Sequence, residues 1–148
     1  MRKVYECLSL GIIYGFIYNI IEILYRGYSH WTMWILAGII GVCIGLYNDV
    51  IEYTIPIEVQ AIYGMIIATS LEYFCGCIVN LQLGWKVWDY SNIPFNLNGQ
   101  VCIRFSLIWT LLSIICIILD DYVRWIVFKE QKPKYVSILY NLLVKGEL

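Results

Sequence analysis

Four long apolar runs, separated by short polar links, constrain this chain of 148 residues more than any other feature. The runs comprise residues 7–25, 31–47, 59–83 and 100–119. An α-helix needs about 20 apolar residues, within a range of about 17–25, to cross the hydrocarbon core of a bilayer. Each run has such a length, and the links at 26–30 and 48–58 suit helical hairpins. The sequence therefore predicts an all-α membrane protein, a compact bundle of four transmembrane helices.

Composition and the missing motifs narrow the function classes. The chain is 61% hydrophobic and only 14% charged, whereas a soluble domain is about half apolar and about a quarter charged. The net charge of −1 provides no field that would attract nucleic acid, so the lipid bilayer is the expected partner. Motifs for a phosphate-binding loop or a hydrolase are missing. With His30 as the single histidine, no zinc spacing arises, and no metal or cofactor is predicted.

The cysteines do not have the pattern of a disulfide framework. All six lie inside or beside apolar runs, at Cys7, Cys43, Cys75, Cys77, Cys102 and Cys116. Disulfide-rich secreted domains are instead small and loop-rich. We predict free thiols that pack as small hydrophobic side chains.

Basic residues predict the orientation, because they concentrate on the cytoplasmic side of a membrane. With four spans, the N-terminus, the second link and the C-terminal tail share one side, which holds seven Lys or Arg residues against at most three on the other. We expect one multi-pass domain over residues 1–148 in the cell membrane, with both termini cytoplasmic. Residues 121–148 are expected to form a cytoplasmic tail in which the fourth helix continues to about residue 129 and an amphipathic helix of about three turns covers 135–145. That helix would suit the membrane surface or a partner's groove.

Small and polar residues recur with helical spacing in each span. In the third span the period is four residues, at Gly64, Ala68, Glu72, Gly76 and Asn80. Small residues on one face allow helix backbones to approach closely in lipid. This spacing predicts interior packing faces and directs Glu72 into the bundle.

Glu72 is the strongest candidate for a polar site within a span. A charged side chain at mid-membrane costs about 2.5–3.5 kcal/mol on insertion scales. Its expected partners are Glu22, Arg104 or a hydroxyl group of the fourth span. Two interpretations stay open: a neutral glutamic acid that fixes helix register, or a site for a substrate, an ion or a proton. Glu22, near the end of the first span, is expected to pair with Arg26 four residues later or to join such a site.

Residues 84–98 are predicted to form an ordered loop at the outer membrane interface. Aromatic side chains with polar tips are typical of that interface. The residues of interest are Trp88, Asp89, Tyr90, Ser91, Pro94, Asn96, Asn98 and Gly99. We expect Asp89 to bind loop amides and to pair with Arg104 or Lys86. We expect Asn98 to cap the fourth helix. The loop would serve as an interfacial anchor or as a lid over a central cavity.

Three segments of the chain resemble a known family. They are Leu71-Glu72-Tyr73-x-x-Gly76, then Trp88-Asp89-Tyr90-Ser91-x-x-Pro94-Phe95-Asn96-x-Asn98-Gly99, and then Ser106-x-x-Trp109. They are similar to the type IV, CmpB-like family of ABC-transporter permeases, small multi-pass membrane proteins of bacteria. Residues 21–33 are similar to the first hairpin of that family. The resemblance covers roughly residues 8–115. It implies a transport subunit that acts with a separate ATP-binding subunit, with a homo-oligomer as a further expectation.

Three functions remain in competition at this stage. The first is a permease subunit of an ABC-type transporter that is not itself an enzyme. The second is a membrane regulator, chaperone or assembly factor whose polar residues only hold the bundle together. The third is an intramembrane enzyme that uses Glu22, Glu72 and Asp89 as acid and base groups. Candidate substrate-binding or structural residues are Glu22, Glu72, Asp89 and Arg104.

Overall fold

A computed structural model of the protein describes residues 2–48, 50–51 and 54–145. Four long helices dominate these residues: α1 (Arg2–Arg26), α2 (Trp31–Asn48), α3 (Ile57–Gly76) and α4 (Ile103–Val127). A small hairpin, β1 (Asn96–Leu97) and β2 (Val101–Cys102), precedes α4, and a short helix, α5 (Ile138–Tyr140), lies in the tail. The all-α prediction is confirmed. The six cysteines are free thiols, as predicted.

Three of the helical segments are long and apolar enough to cross a membrane, at Lys3–Arg26, Ile57–Gln82 and Ile103–Val127. The apolar segment of the remaining long helix, Trp31–Tyr47, is shorter. The 18 residues of α2 extend over about 27 Å at the rise of an α-helix. By length and composition, three of the four predicted spans could therefore cross a membrane, and the predicted second span is a shorter apolar helix.

The third helix widens before it ends. Residues Cys77–Gln82 continue α3 as a π-helix, in which each amide bonds to the carbonyl five residues earlier. Asn80 in this segment connects it to the following loop, because its side chain donates to Gln100 Oε1 at 2.9 Å and accepts from the backbone N–H of Val87 at 2.7 Å. The π-helical segment thus fixes the start of the loop against the end of the bundle.

Glycines allow the first two helices to touch along their backbones. A Cβ atom added to Gly38 would lie 2.7 Å from the carbonyl oxygen of Gly11, and one added to Gly15 would lie 2.7 Å from that of Trp34. Side chains at these positions would force the helices apart. The predicted role of the small-residue faces is confirmed for this hairpin.

The four helices pack as two hairpins joined through α2. Helix α1 packs mainly against α2 and α3 packs mainly against α4, while α2 also contacts α3 and α4. The buried apolar core centres on the face of α2 that carries Leu36, Ile40 and Ile44. Helices α1 and α4 are not a closely packed pair, and cavities lie in the seam between them.

The beginning of the fourth helix differs from the prediction. It begins at Ile103 rather than near residue 100, after the antiparallel pairing of Asn96 with Cys102 and Leu97 with Val101. Asn98 does not cap it, since Cys102 occupies the N-cap position without a side-chain bond. The side chain of Asn98 instead donates to Tyr73 Oη at 3.0 Å. The hairpin turn needs left-handed backbone, with φ of 51° at Asn98 and 68° at Gly99, and this geometry separates Asn98 from the helix.

The tail also differs from the prediction. Helix α4 continues to Val127, as predicted, but Asp121 within it is buried, so this part of the expected tail packs in the bundle. The three-turn amphipathic helix expected over 135–145 is replaced by α5 and a π-helical segment, Asn141–Lys145. The reason is a contact with the start of α3, where Ile57 N donates to Val136 O at 2.9 Å. This pairing holds the chain extended until residue 137. Residues 146–148 lie outside the described residues.

Candidate functional site

A cavity of about 190 Å³ lies between α1 and α4, near the end of the bundle that carries the loop. We call this end, with residues 84–102, the loop end, and the opposite end, with residues 120–140, the terminal end. The cavity, here the Glu72 cleft, is lined by Tyr18, Ile21, Glu22, Tyr25, Arg26, Met33, Glu72, Trp88, Tyr90, Phe105, Ile108, Trp109 and Leu112. Two of the four candidate residues, Glu22 and Glu72, meet in it, while Asp89 and Arg104 do not line it.

Glu72 lies deep in the bundle, with 1% of its surface exposed. Trp109 Nε1 donates to Glu72 Oε2 at 2.9 Å, and Tyr90 Oη donates to Glu72 Oε1 at 3.1 Å. The predicted interior orientation is confirmed, because Gly64, Ala68 and Gly76 on the same face of α3 are also buried. The expected partners were wrong. Within the described parts of the chain, no basic side chain bonds to Glu72, and its bonds come from two neutral aromatic donors.

The two donors belong to two stacked aromatic pairs. The rings of Tyr18 and Trp109 lie 5.5 Å apart at an angle of 8°, and those of Tyr90 and Phe105 lie 4.6 Å apart at 16°. Glu72 bonds to one member of each pair. Offset stacking of this kind stabilises aromatic pairs beyond the area that they bury. The carboxylate thereby joins α1, α3, α4 and the loop around one cavity wall.

Glu22 and Arg26 form the ion pair that their spacing predicts. Arg26 Nη2 lies 2.7 Å from Glu22 Oε1, and the Ser29 hydroxyl donates to Glu22 Oε2. Arg26 Nη1 also donates to the carbonyl oxygen of Val87 at 3.1 Å. The side chain of Glu22 is only 8% exposed and that of Arg26 is 20% exposed, so the carboxylate is buried and its cation is partly buried. The pair attaches the end of α1 to the loop and places one compensated charge pair at the rim of the cleft.

The loop is folded onto the bundle by bonds of its own polar residues. Trp88 is buried and its Nε1 donates to Gln100 O at 2.8 Å. Asn96 donates to Ile93 O at 2.8 Å and accepts from Gly99 N at 2.9 Å. Tyr90 reaches from the loop to Glu72, and burial, with the adjacent Glu72 carboxylate, raises the pKa of Tyr90 above its ordinary value. The expectation of an ordered loop agrees with this network.

Asp89 and Arg104 are both exposed and do not pair with each other. Asp89 Oδ1 accepts from the backbone N–H of Ser91 at 2.8 Å and from its hydroxyl at 2.5 Å. These bonds, with a smaller contribution from Lys86, lower the pKa of Asp89. The guanidinium carbon of Arg104 lies 6.0 Å from the centroid of the Phe105 ring. The expected Asp89–Arg104 pair is wrong because a local turn already occupies the carboxylate.

A second polar cluster, at the terminal end, was not proposed as a site from the sequence. Tyr14 Oη donates to Asp120 Oδ1 at 2.5 Å, and Arg124 Nε donates to Asp120 Oδ2 at 2.5 Å. Asp120 is fully buried. Tyr135 in the tail donates to Asp121 Oδ2 at 2.9 Å. The available signal was the spacing of Asp120 and Arg124, since opposite charges four residues apart on an apolar helix compensate one another.

These features are typical of one class of protein, and a comparison with known families then identifies the family. Long apolar helices that enclose buried carboxylates and an aromatic cleft are typical of a helical membrane protein, and among the described residues no group of acidic, histidine and cysteine side chains could hold a metal ion. The chain belongs to the family described as "Putative ABC-transporter type IV", whose model matches residues 7–145. No curated protein matches the chain, and no solved structure matches it.

Proposed function

We propose that the protein is the membrane-embedded permease subunit of an ABC-type transporter and works with a separate ATP-binding subunit. The observation that carries this proposal is the position of Glu72, a buried carboxylate on the wall of a cavity. Family membership supports a transport role and points away from an enzyme. The chain has no phosphate-binding loop of its own, so ATP hydrolysis would come from a partner.

The arrangement of the helix ends supports four crossings with both termini in the cytoplasm. Bonds between Tyr14 and Asp120, and between Ile57 and Val136, connect α1, α3, α4 and the tail toward the terminal end. Seven of the ten basic residues belong to the segments assigned to this side, which the preference of Lys and Arg for the cytoplasm favours. The terminal end would then face the ATP-binding subunit, and the loop end would face outward.

The cavity beside Glu72 favours a transport site over a purely structural carboxylate. A glutamic acid that only fixes helix register needs hydrogen-bond partners in the bundle but no open space beside it. Glu72 instead borders a space of about 190 Å³ between two helices that do not pack closely. A cleft of this size in one chain is small for a conducting path, so a second copy of the chain is part of the proposal.

The direct test is whether ATP hydrolysis depends on this cleft. The tagged full-length chain is purified from its native membrane in a mild detergent, and ATPase activity is measured in the eluate after reconstitution into nanodiscs. We expect an ATP-binding subunit to co-elute in fixed ratio, and we expect Glu72→Gln to lower its ATP hydrolysis. The exposed variant Gln82→Glu, at the end of the π-helical segment and outside the cleft, serves as a matched control and should leave the rate unchanged. If no ATPase co-elutes in any of several mild detergents, the proposal fails.

A second function is favoured by one specific observation. Both oxygens of Glu72 already accept bonds from Trp109 and Tyr90, as in a residue that only assembles the bundle. A membrane regulator, chaperone or assembly factor would need no more. In that case Glu72→Gln should leave ATP hydrolysis unchanged. The third candidate function was an intramembrane enzyme that uses Glu22, Glu72 and Asp89 as acid and base groups. Glu22 and Glu72 share the cleft, but Asp89 is exposed in the loop and does not line it.

A further inference from the structure

Nearly half of the residues that line the Glu72 cleft are aromatic. Six of its lining residues are aromatic: Tyr18, Tyr25, Trp88, Tyr90, Phe105 and Trp109. The face of an aromatic ring carries partial negative charge, and a cation within about 6 Å of the ring centroid is attracted to it. Quaternary ammonium ions are recognised in this way, because they have no hydrogen to donate. The aromatic lining therefore favours a positively charged, weakly hydrated ligand.

The charges of the cleft favour the same sign of ligand. Arg26 is compensated by Glu22 at 2.7 Å and also donates to Val87 O, so this pair contributes little net charge. Glu72 has no basic partner in the described residues of the chain. A carboxylate can accept about four hydrogen bonds, and Glu72 accepts two, from Trp109 and Tyr90. When ionised, it is the uncompensated anion of the cleft.

An apolar extension of the cleft offers space for a hydrophobic tail. A second cavity of about 70 Å³ continues along the seam between α1 and α4 and shares Tyr18, Ile21, Trp109 and Leu112 with the first. Its further lining is mostly aliphatic, with Ile17, Ile40, Ile44 and Ile115 among its residues. A ligand with a cationic head at Glu72 could therefore place an apolar group along this seam.

We propose that the Glu72 cleft binds a lipophilic organic cation, whose charged head lies between the aromatic rings and Glu72 and whose apolar part follows the α1–α4 seam. This inference names the substrate class of the transport site and rests on the proposed function for its biological meaning. Glu72 supplies the opposite charge, and the stacked pairs Tyr18–Trp109 and Tyr90–Phe105 supply the ring faces. Trp109 and Tyr90 hold the carboxylate in place through their bonds to it.

The test compares three probes that share a benzyl group and differ in charge. Tritiated benzyltrimethylammonium is bound at equilibrium to the purified full-length chain in detergent, without any ATPase. Neopentylbenzene, its neutral carbon isostere, and benzylsulfonate, an anion, are then used as competitors. We expect saturable binding of the cation, with the neutral isostere competing at least about tenfold more weakly and the anion not competing, because the ring faces and the Glu72 carboxylate attract a positive charge. Equal competition by all three, or preferred binding of the anion, would overturn the proposal.

Variants assign the binding to the cleft. Glu72→Gln should weaken binding of the cation about 10- to 100-fold, because it removes the negative charge beside the cationic head, whereas Glu58→Gln, which removes a carboxylate at the terminal end, should leave it unchanged. Tyr18→Leu should weaken binding about 2- to 30-fold and Tyr18→Phe should retain it, because only the aromatic face contributes. The Tyr18 pair keeps the test decisive if Glu72→Gln fails to fold. Unchanged binding in Tyr18→Leu and in any folded Glu72→Gln would place the cation elsewhere and would refute the inference.

Failure of this inference can be distinguished from failure of the transport proposal. A chain that co-elutes with an active ATPase but binds no cation refutes the substrate class alone. A chain that binds the cation at Glu72 but has no associated ATPase supports the binding site and refutes the permease role.

Discussion

The two ends of the bundle bury carboxylates in opposite ways. At the terminal end, Asp120 accepts from the cation Arg124 and from Tyr14, both at 2.5 Å. At the loop end, Glu72 accepts from the neutral donors Trp109 and Tyr90 at 2.9 and 3.1 Å. Both carboxylates are almost completely buried. The first has its charge balanced inside the protein, and the second does not.

This difference separates a structural role from a binding role. Removal of one partner of a buried ion pair strongly destabilises the folded protein, because the other charge is left in a low dielectric. Asp120 also packs against Gly45, where an added Cβ atom would lie 2.6 Å from Asp120 Oδ1, so the pair joins α2 to α4. A carboxylate that lacks a cation beside a cavity is instead available to a ligand. We therefore call the buried Tyr14–Asp120–Arg124 cluster of the terminal end the clamp, and the loop end remains the proposed binding site.

The largest expected effect on stability comes from removing the cation of the clamp, Arg124. Arg124→Met keeps the apolar stem of the side chain but removes the cation that donates to Asp120. We expect the free energy of unfolding to fall by about 3–5 kcal/mol, measured by SDS titration of the protein in mixed micelles. The control is Arg104→Met, which removes an exposed cation and should cost less than about 1 kcal/mol. Equal losses in the two variants would contradict the clamp.

At the loop end, removal of a donor should have a smaller effect. Trp109→Phe preserves most of the ring but leaves Glu72 Oε2 without its bond. We expect a loss of about 1–3 kcal/mol, the cost of an unsatisfied buried polar group, in the same SDS titration. The matched control Trp85→Phe changes an exposed tryptophan of the loop and should have little effect. A loss above that of Arg124→Met would mean that the loop end carries the stability of the fold.

Replacement of Glu72 itself by an amide should be milder still. In Glu72→Gln the side-chain oxygen can accept from Trp109, and the NH₂ group can donate to the Tyr90 hydroxyl, which both donates and accepts. We expect a change of about 1 kcal/mol or less. Combined with Arg124→Met, the two effects should add to within about 0.5 kcal/mol, as for distant sites without shared partners. Strong coupling in that double mutant would contradict the independence of the two ends.

The smallest expected effect is in the exposed turn of the loop. Asp89→Asn keeps a side-chain acceptor for Ser91, so global stability should stay close to that of the parent. The bonds from Ser91 lower the pKa of Asp89. Its contribution to the turn is therefore present above the ordinary pKa of an aspartate and is lost as the pH falls through the lowered pKa. Fluorescence of the adjacent Trp88, recorded from neutral to acidic pH, should change in the parent and stay flat in this pH range in Asp89→Asn.

Several parts of the fold could be predicted from the sequence because they depend on local periodicity. The helices α1, α2, α3 and α4 follow from apolar runs, and the orientation of Glu72 follows from the four-residue spacing of Gly64, Ala68 and Gly76 on α3. The Glu22–Arg26 pair follows in the same way, since residues four apart lie on one face of a helix. In each case the relevant neighbours are close along the chain.

Local turn chemistry was less predictable because its groups have several partners within reach. Asn98 could have capped a helix, but the hairpin turn directs it to Tyr73. Asp89 could have paired with a cation, but Ser91 lies two residues away and binds it first. Alternatives of this kind differ by about 1 kcal/mol, too little for the sequence to decide between them.

The sequence by itself determined the four long helical segments, which faces are small and apolar, and that a carboxylate would be buried in the third helix. Only the tertiary structure decided that α1 and α4 leave a seam between them, that Trp109 and Tyr90 bond to Glu72, and that Asp120 is clamped by Tyr14 and Arg124. The physical reason is that periodicity describes the surface of one helix, whereas a cleft depends on which surfaces meet. Close packing of α1 on α2 through Gly11 and Gly38 fixes α1 against one neighbour and leaves its other side, with Tyr18 and Glu22, facing the cleft.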